Sequence, residues 1–153
     1  MALSADIPRI AMQVSRGVVV ASIQVDLDDG ILAQFQADLL GRVHQTGSQG
    51  IILDVSGLET LDSEEFAALR RIIAMANLLG ADSVLVGLRP GVVAALVNIG
   101  VDVDGLRAAI DLDAAFALLR PEADGGNEPG TEADVALEDA TPMESELAPE
   151  TDR

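Results

Sequence analysis

The chain has 153 residues, 49% of them hydrophobic, enough for one core without metal or disulfide support. It has no cysteine and one histidine, His44, which excludes thiol chemistry and thiolate metal sites and argues against a multi-histidine centre or a histidine-based hydrolytic triad. A net charge of −17 repels phosphates, so neither nucleic acid nor an anionic membrane surface is expected as a partner.

The charge is unevenly spread. Residues 121–153 hold eleven acidic residues and one arginine among Gly, Pro, Thr and Ala, whereas the first 120 residues hold fifteen acidic residues and eight arginines. Low hydrophobicity with high charge does not offset the entropy of ordering. The expectation is a domain over 1–120 and a disordered acidic tail over 121–153, solubilising or, alternatively, partner-binding. Met1 to Arg16 show no basic patch followed by an apolar run, and Val18 to Ile23 is only strand length, so a cytoplasmic protein is expected.

Arg9 to Ser15 and Val18 to Gln24 flank Arg16-Gly17 and read as a hairpin. Asp28 to Gln45 places Ile31, Leu32, Phe35, Leu39, Leu40 and Val43 at helical spacing, with Asp28 and Asp29 at its start and Thr46-Gly47 at its close. Ile51 to Val55 is a short apolar run, as in a strand covered on both faces. A second helix is predicted from about Asp62 to Leu79, with Phe66, Leu69, Ile72, Ile73, Met75, Ala76 and Leu79 on its buried side. Ser83 to Gly87 reads as a strand, Pro90 opens a third helix through Val97 with Gly100 as its stop, and an extended piece near Leu106 to Ile110 precedes a short helix over Asp111 to Leu119. Strands alternating with single helices predict an α/β domain with a small, largely parallel sheet after an N-terminal β-hairpin.

The stretch Leu53 to Ser63 leaves the carboxyl end of a buried strand and enters a helix, the edge where ligand and modification sites gather in open α/β sheets. Asp62 caps that helix with Glu65 three residues on, which puts Ser63 exposed in the first turn. Read from the residues alone this is first an Asp/Ser helix cap, a common device. It is also a place where a phosphate gains from free N–H groups and the helix dipole. Gly87-Leu88-Arg89-Pro90-Gly91 is read as a tight turn before a helix, with a phosphate cradle around Arg89 as the alternative. His44 reads as a surface group near a helix end, Asp26, Asp28 and Asp29 as a solvated loop and cap, not a cation site, and Arg70-Arg71 as pairing with Glu64 or Glu65. No nucleophile–base pair, metal cluster or cofactor loop is present, so no enzymatic activity and no cofactor are expected.

Asp54-Val55-Ser56-Gly57, then Leu61-Asp62-Ser63, then Gly87-Leu88-Arg89-Pro90, in this order, resemble the STAS family of anti-sigma-factor antagonists. The runs over 22–29 and 39–47 are similar, more narrowly, to RsbS-type stressosome antagonists, and the resemblance covers about residues 8–120. It implies a non-catalytic STAS fold whose Asp-Ser serine, here Ser63, is phosphorylated by a serine-protein kinase of the GHKL type, with Ser56 as the weaker candidate. Asp26, Asp54, Gly57, Asp62 and Arg89 are expected to support the site or touch the partner. Implied partners are that kinase, a cognate serine phosphatase and homologous STAS scaffold proteins, in a homo- or hetero-oligomer. The family commonly has Ser-Gly or a bulky apolar residue after the Asp-Ser pair; here stand Glu64 and Glu65, whose charge opposes a dianionic phosphate. A constitutive structural subunit that uses the fold without the switch is the alternative.

Overall fold

The computed structural model describes residues 8–120; the expected acidic tail, 121–153, lies outside the described residues. Strands β1 (Ala11–Ser15) and β2 (Val18–Ser22) are joined by Arg16 and Gly17, both at positive φ, 53° and 76°. Two positive φ values in a two-residue loop make the mirror-image turn whose twist matches that of the strands. Then come α1 (Asp29–Thr46), β3 (Gly50–Asp54), α2 (Ser63–Leu78), β4 (Asp82–Val86), α3 (Pro90–Ile99), β5 (Ala108–Ala109) and α4 (Leu112–Leu118).

The sheet runs β1-β2-β3-β4-β5, with β1 antiparallel to β2 and every later pair parallel. Each right-handed crossover adds its strand on the same side of the last, so α1, α2 and α3 fall on one face. Alternation of side chains makes this visible. Val19, Ala21, Ile51, Leu53 and Leu85 meet Phe35 and Leu39 of α1, Phe66, Leu69 and Ile72 of α2, and Val92 and Leu96 of α3 in one core. Val18, Val20, Ile52, Val84 and Val86 point the other way, onto Ala115, Phe116 and Leu119 at α4. Burial on both faces explains why β2, β3 and β4 read as continuous apolar runs. Each fully buried Phe, Leu or Ile here contributes roughly 1.5–3 kcal/mol.

The helix ends follow the sequence signals. Asp28 accepts the Ile31 N–H at 2.8 Å, and Gly47, at φ 64°, closes α1 by donating to the Val43 carbonyl at 2.9 Å. Three expectations shift. Arg9 and Ile10 precede β1, which starts at Ala11; the extended piece near Leu106 contributes only two paired residues; and α3 continues to Ile99. On α2 the buried stripe is Phe66, Leu69, Ile72 and Ala76, while Leu79, past the last helical turn, is half exposed. Among the described residues no helix is long and apolar enough to cross a membrane.

Candidate functional site

Three loops meet at the carboxyl edge of the sheet: 23–28 after β2, 55–62 after β3 and 87–89 after β4. The parallel ladder runs on into them, with Ile23 N–H donating to the Asp54 carbonyl and Val55 N–H to that of Val86, each at 2.9 Å. The Asp54 carboxylate accepts the Ser56 N–H at 3.0 Å, which bends the chain out of β3. Arg89 then reaches across from the third loop, and its Nε and Nη2 donate to the Ser56 carbonyl at 3.2 and 3.1 Å. Arg89 is thus occupied as a clamp on the central loop.

Two glycines let these backbones approach so closely. A Cβ on Gly57 would stand 2.8 Å from the Ile23 carbonyl oxygen; one on Gly87, at φ 84°, would stand 2.7 Å from Ser56 Cβ. Leu58 and Leu61 anchor the same loop in the core. The segment that delivers the start of α2 is therefore held by packing and by hydrogen bonds at both ends.

At that start Asp62 and Glu65 form a reciprocal capping box, with Asp62 Oδ1 accepting the Glu65 N–H at 2.8 Å and Glu65 Oε2 accepting the Asp62 N–H at 2.9 Å. Ser63, the first helical residue, is exposed. Its N–H and that of Glu64 have no acceptor among the described residues. Ser63 lines a groove of about 460 Å³ between α1 and α2, with Asp29 and Leu32 of α1 and Glu64, Ala68 and Arg71 of α2. The carboxylates here (Asp28 and Asp29 on α1, Asp62, Glu64 and Glu65 on α2) sit at the positive ends of two parallel helix dipoles, which offset part of their mutual repulsion.

The expected residues do not all converge. Ser56 is exposed on a different groove, of about 490 Å³, where Asp54, Val86 and Gly87 face Ile110 and Leu112 at the start of α4. Asp26 is exposed in the first loop and is not in the Ser63 groove. His44 is exposed in the last turn of α1. Among the described residues no acidic or histidine cluster could hold a metal ion. The expected pairing of Arg70 with Glu64 or Glu65 is replaced. Glu65 is engaged in the capping box, and Arg70 instead binds the Asp102 carboxylate at 3.2 Å and the carbonyls of Asp102 and Asp104. The Asp104 N–H and then Arg70 hold the Asp102 carboxyl below its ordinary range. Sequence reading missed the pressing of Gly87 onto Ser56 and the part played by Leu32 and Arg71. Both depend on neighbours distant in sequence.

No curated protein sequence matches the chain. Among solved structures, a serine-to-glutamate variant of RsbS from Moorella thermoacetica is 29% identical, with a TM-score of 0.63 and coverage of 72% of this chain and 94% of that one. A protein solved in work on the molecular architecture of the stressosome is 30% identical, with a TM-score of 0.63 and coverage of 72% and 96%. SpoIIAA, an anti-sigma factor antagonist in its unphosphorylated form, shares the fold at 20% identity, with a TM-score of 0.54 and coverage of 71% and 96%. The family description "STAS domain" matches residues 9–111, and with these neighbours the chain belongs to the STAS domain family.

Proposed function

We propose that this STAS domain is a non-catalytic cytoplasmic regulator, an anti-sigma-factor antagonist of the stressosome kind, that binds a serine-protein kinase and is switched by phosphorylation of Ser63. The observation that carries this reading is the placement of Ser63: exposed at the first position of α2, beside two N–H groups with no acceptor among the described residues, in a groove shared by two helices. The likeness to RsbS and to a stressosome protein supports it.

The kinase supplies the chemistry. Its bound ATP gives up the γ-phosphoryl group to Ser63 Oγ, the bond to ADP breaks, and a base on the kinase takes the hydroxyl proton. This chain contributes an exposed hydroxyl on a backbone that the capping box fixes on either side, at Asp62 and Glu65. The product adds about −1.5 to −2 charges at that point. The Ser63 and Glu64 N–H groups and the helix dipole favour it; Asp62 and Glu64 oppose it. Glu65 opposes it less than the sequence implies, because its carboxylate is turned back to the Asp62 N–H. Among the described residues that line the groove Arg71 is the one cation, so phosphorylation turns a mixed surface into an anionic one and changes which partner fits. A cognate phosphatase resets it. The domain, 1–120, carries the switch, and 121–153 is an accessory acidic tail.

A second reading, a constitutive scaffold subunit, is favoured by the carboxylates of Asp29, Asp62 and Glu64 around Ser63. Incubation with the serine kinase of the pathway and ATP, followed by mass-spectrometric mapping, separates the two. Phosphate on Ser63, absent in Ser63→Ala, supports the switch. Kinase bound without any phosphate transfer supports the scaffold. Ser63→Ala removes no side-chain hydrogen bond found among the described residues, so the variant keeps the fold.

A further inference from the structure

We infer that the groove on the α4 side of the sheet, where the carboxyl ends of β3 and β4 face the start of α4, docks a segment of another protein that carries an aliphatic side chain flanked by arginine or lysine. This surface lies across the sheet from the helices that frame Ser63, so the inference goes beyond the switch and does not depend on it.

Two aliphatic side chains are bare here where the fold elsewhere hides or avoids them. The residue directly after a parallel strand is buried at Ile23, 0% exposed, and at Val55, 2% exposed; after β5 it is Ile110, 86% exposed. The other helices begin with Asp29, Ser63 and Pro90, whereas α4 begins with Leu112, 40% exposed. Ile110 and Leu112 both line the groove of about 490 Å³. Val86 lines it from the sheet, and Gly87 contributes no side chain that would fill it. A single exposed aliphatic residue is ordinary, but a pair around one concave surface marks a place of contact.

The charges around the groove choose the occupant. Asp54, Asp111 and Asp113 line it, and none of the described residues that line it is cationic. Asp54 and Asp111 each commit Oδ1 to a backbone N–H, that of Ser56 at 3.0 Å and that of Ala114 at 2.8 Å. The second oxygen of each, and both oxygens of Asp113, have no partner among the described residues. The backbone bonds hold Asp54 and Asp111 in place, so carboxylates and aliphatic groups form a pattern set before binding. A guanidinium or ammonium group on the incoming segment meets the free oxygens while its aliphatic neighbour covers Ile110 and Leu112. Nucleic acid and anionic lipid are repelled, and a two-fold meeting of copies at this groove would set the same carboxylates against one another. The groove beside α3 also has an apolar lining, Val92 and Ile99, but it shares Asp62 and Glu65 with the Ser63 site and belongs to it.

The test is selection of a displayed library of short random peptides on the unphosphorylated full chain, after depletion on the Ile110→Ser/Asp113→Arg double variant. The enriched peptide is then titrated into nitrogen-15-labelled protein. Ile110 and Asp113 are exposed, and neither side chain makes a hydrogen bond or ion pair among the described residues, so circular dichroism of the variants should match the wild type. Enriched sequences should carry Leu, Ile, Val or Met close to Arg or Lys, and the peptide should shift the amides of 54–56, 86–87 and 110–113. Ile110→Ser and Asp113→Arg should each weaken binding at least tenfold. Asp113→Arg should also prefer the same peptide with glutamate in place of its basic residue, which a merely structural role for Asp113 does not predict. No enrichment overturns the inference. So do cationic peptides that bind equally well without the aliphatic residue, or shifts centred on the Ser63 groove. The same amides shifting with protein concentration alone would put a second copy in the groove and overturn it too. Every reading is made without phosphate, so this groove and the Ser63 switch fail independently.

Discussion

Gly87→Ala and Gly80→Ala place the same methyl group on the same kind of backbone, φ 84° and 92°, but in different surroundings. The left-handed conformation alone costs an alanine roughly 1–2 kcal/mol at either position. At Gly80 nothing lies within 4 Å of the new Cβ, so the conformational cost stands by itself. At Gly87 the Cβ would lie 2.7 Å from Ser56 Cβ and 3.0 Å from its Cα and N, on a segment that Asp54 and Arg89 hold from both sides. Overpacking against a held backbone adds roughly 1–3 kcal/mol. Gly87→Ala should therefore destabilise by about 2–5 kcal/mol and Gly80→Ala by about 1–2 kcal/mol. Urea unfolding followed by far-ultraviolet circular dichroism reads the gap as a lower midpoint at unchanged slope. Equal losses in the two variants would refute the reasoning, because the Ser56 segment would then yield freely and could not hold the start of α2 in place.

Asp62→Ala removes the cap acceptor for the Glu65 N–H and should lower stability by about 0.5–2 kcal/mol, with faster exchange in the first turn of α2. Arg89→Lys keeps the charge but not the fork that grips the Ser56 carbonyl; amide exchange over residues 55–58 should rise while global stability changes little. Phe35→Ala, at a position 1% exposed, should cost about 3–5 kcal/mol in chemical unfolding. Asp102 has a depressed folded-state pKa, so its contribution is present above the ordinary value of 3.8 and fades as pH falls through the lower folded value. Its carboxyl resonance should titrate below 3.8 in the wild type, and Arg70→Ala should move it only part of the way back, since the Asp104 N–H is the larger cause.

The order of elements and the helix ends were legible because their signals are local. Asp28, Asp62 and Asp111 each accept an N–H three residues on, and Gly47 and Gly100 close helices at positive φ. The placement of Ser63 at the head of α2 was legible for the same reason. What was hidden depends on residues brought together from afar. Arg70 finds Asp102 across 32 positions and not a glutamate one turn away, because Glu65 is already committed to the cap. The sequence leaves Arg89 open between a residue of a tight turn and a phosphate cradle, and only the approach of the second and third loops shows that it holds the Ser56 carbonyl. The extended piece near Leu106 to Ile110 was legible, but not that its pairing with β4 is confined to Ala108 and Ala109.

The sheet adds its strands in chain order, and this bears on how such a domain can carry information. In α/β folds where strand order reverses, two neighbouring crossovers leave toward opposite faces, and the cleft that opens between them takes up a small ligand. Here successive crossovers over β2 to β5 lie on one face, and no such cleft opens among the parallel strands. What the carboxyl edge presents is a row of helix starts and shallow grooves, suited to being touched and not to enclosing a metabolite. A signal reaches a platform of this kind as a change in its outer chemistry, and its reader has to be another macromolecule broad enough to cover it.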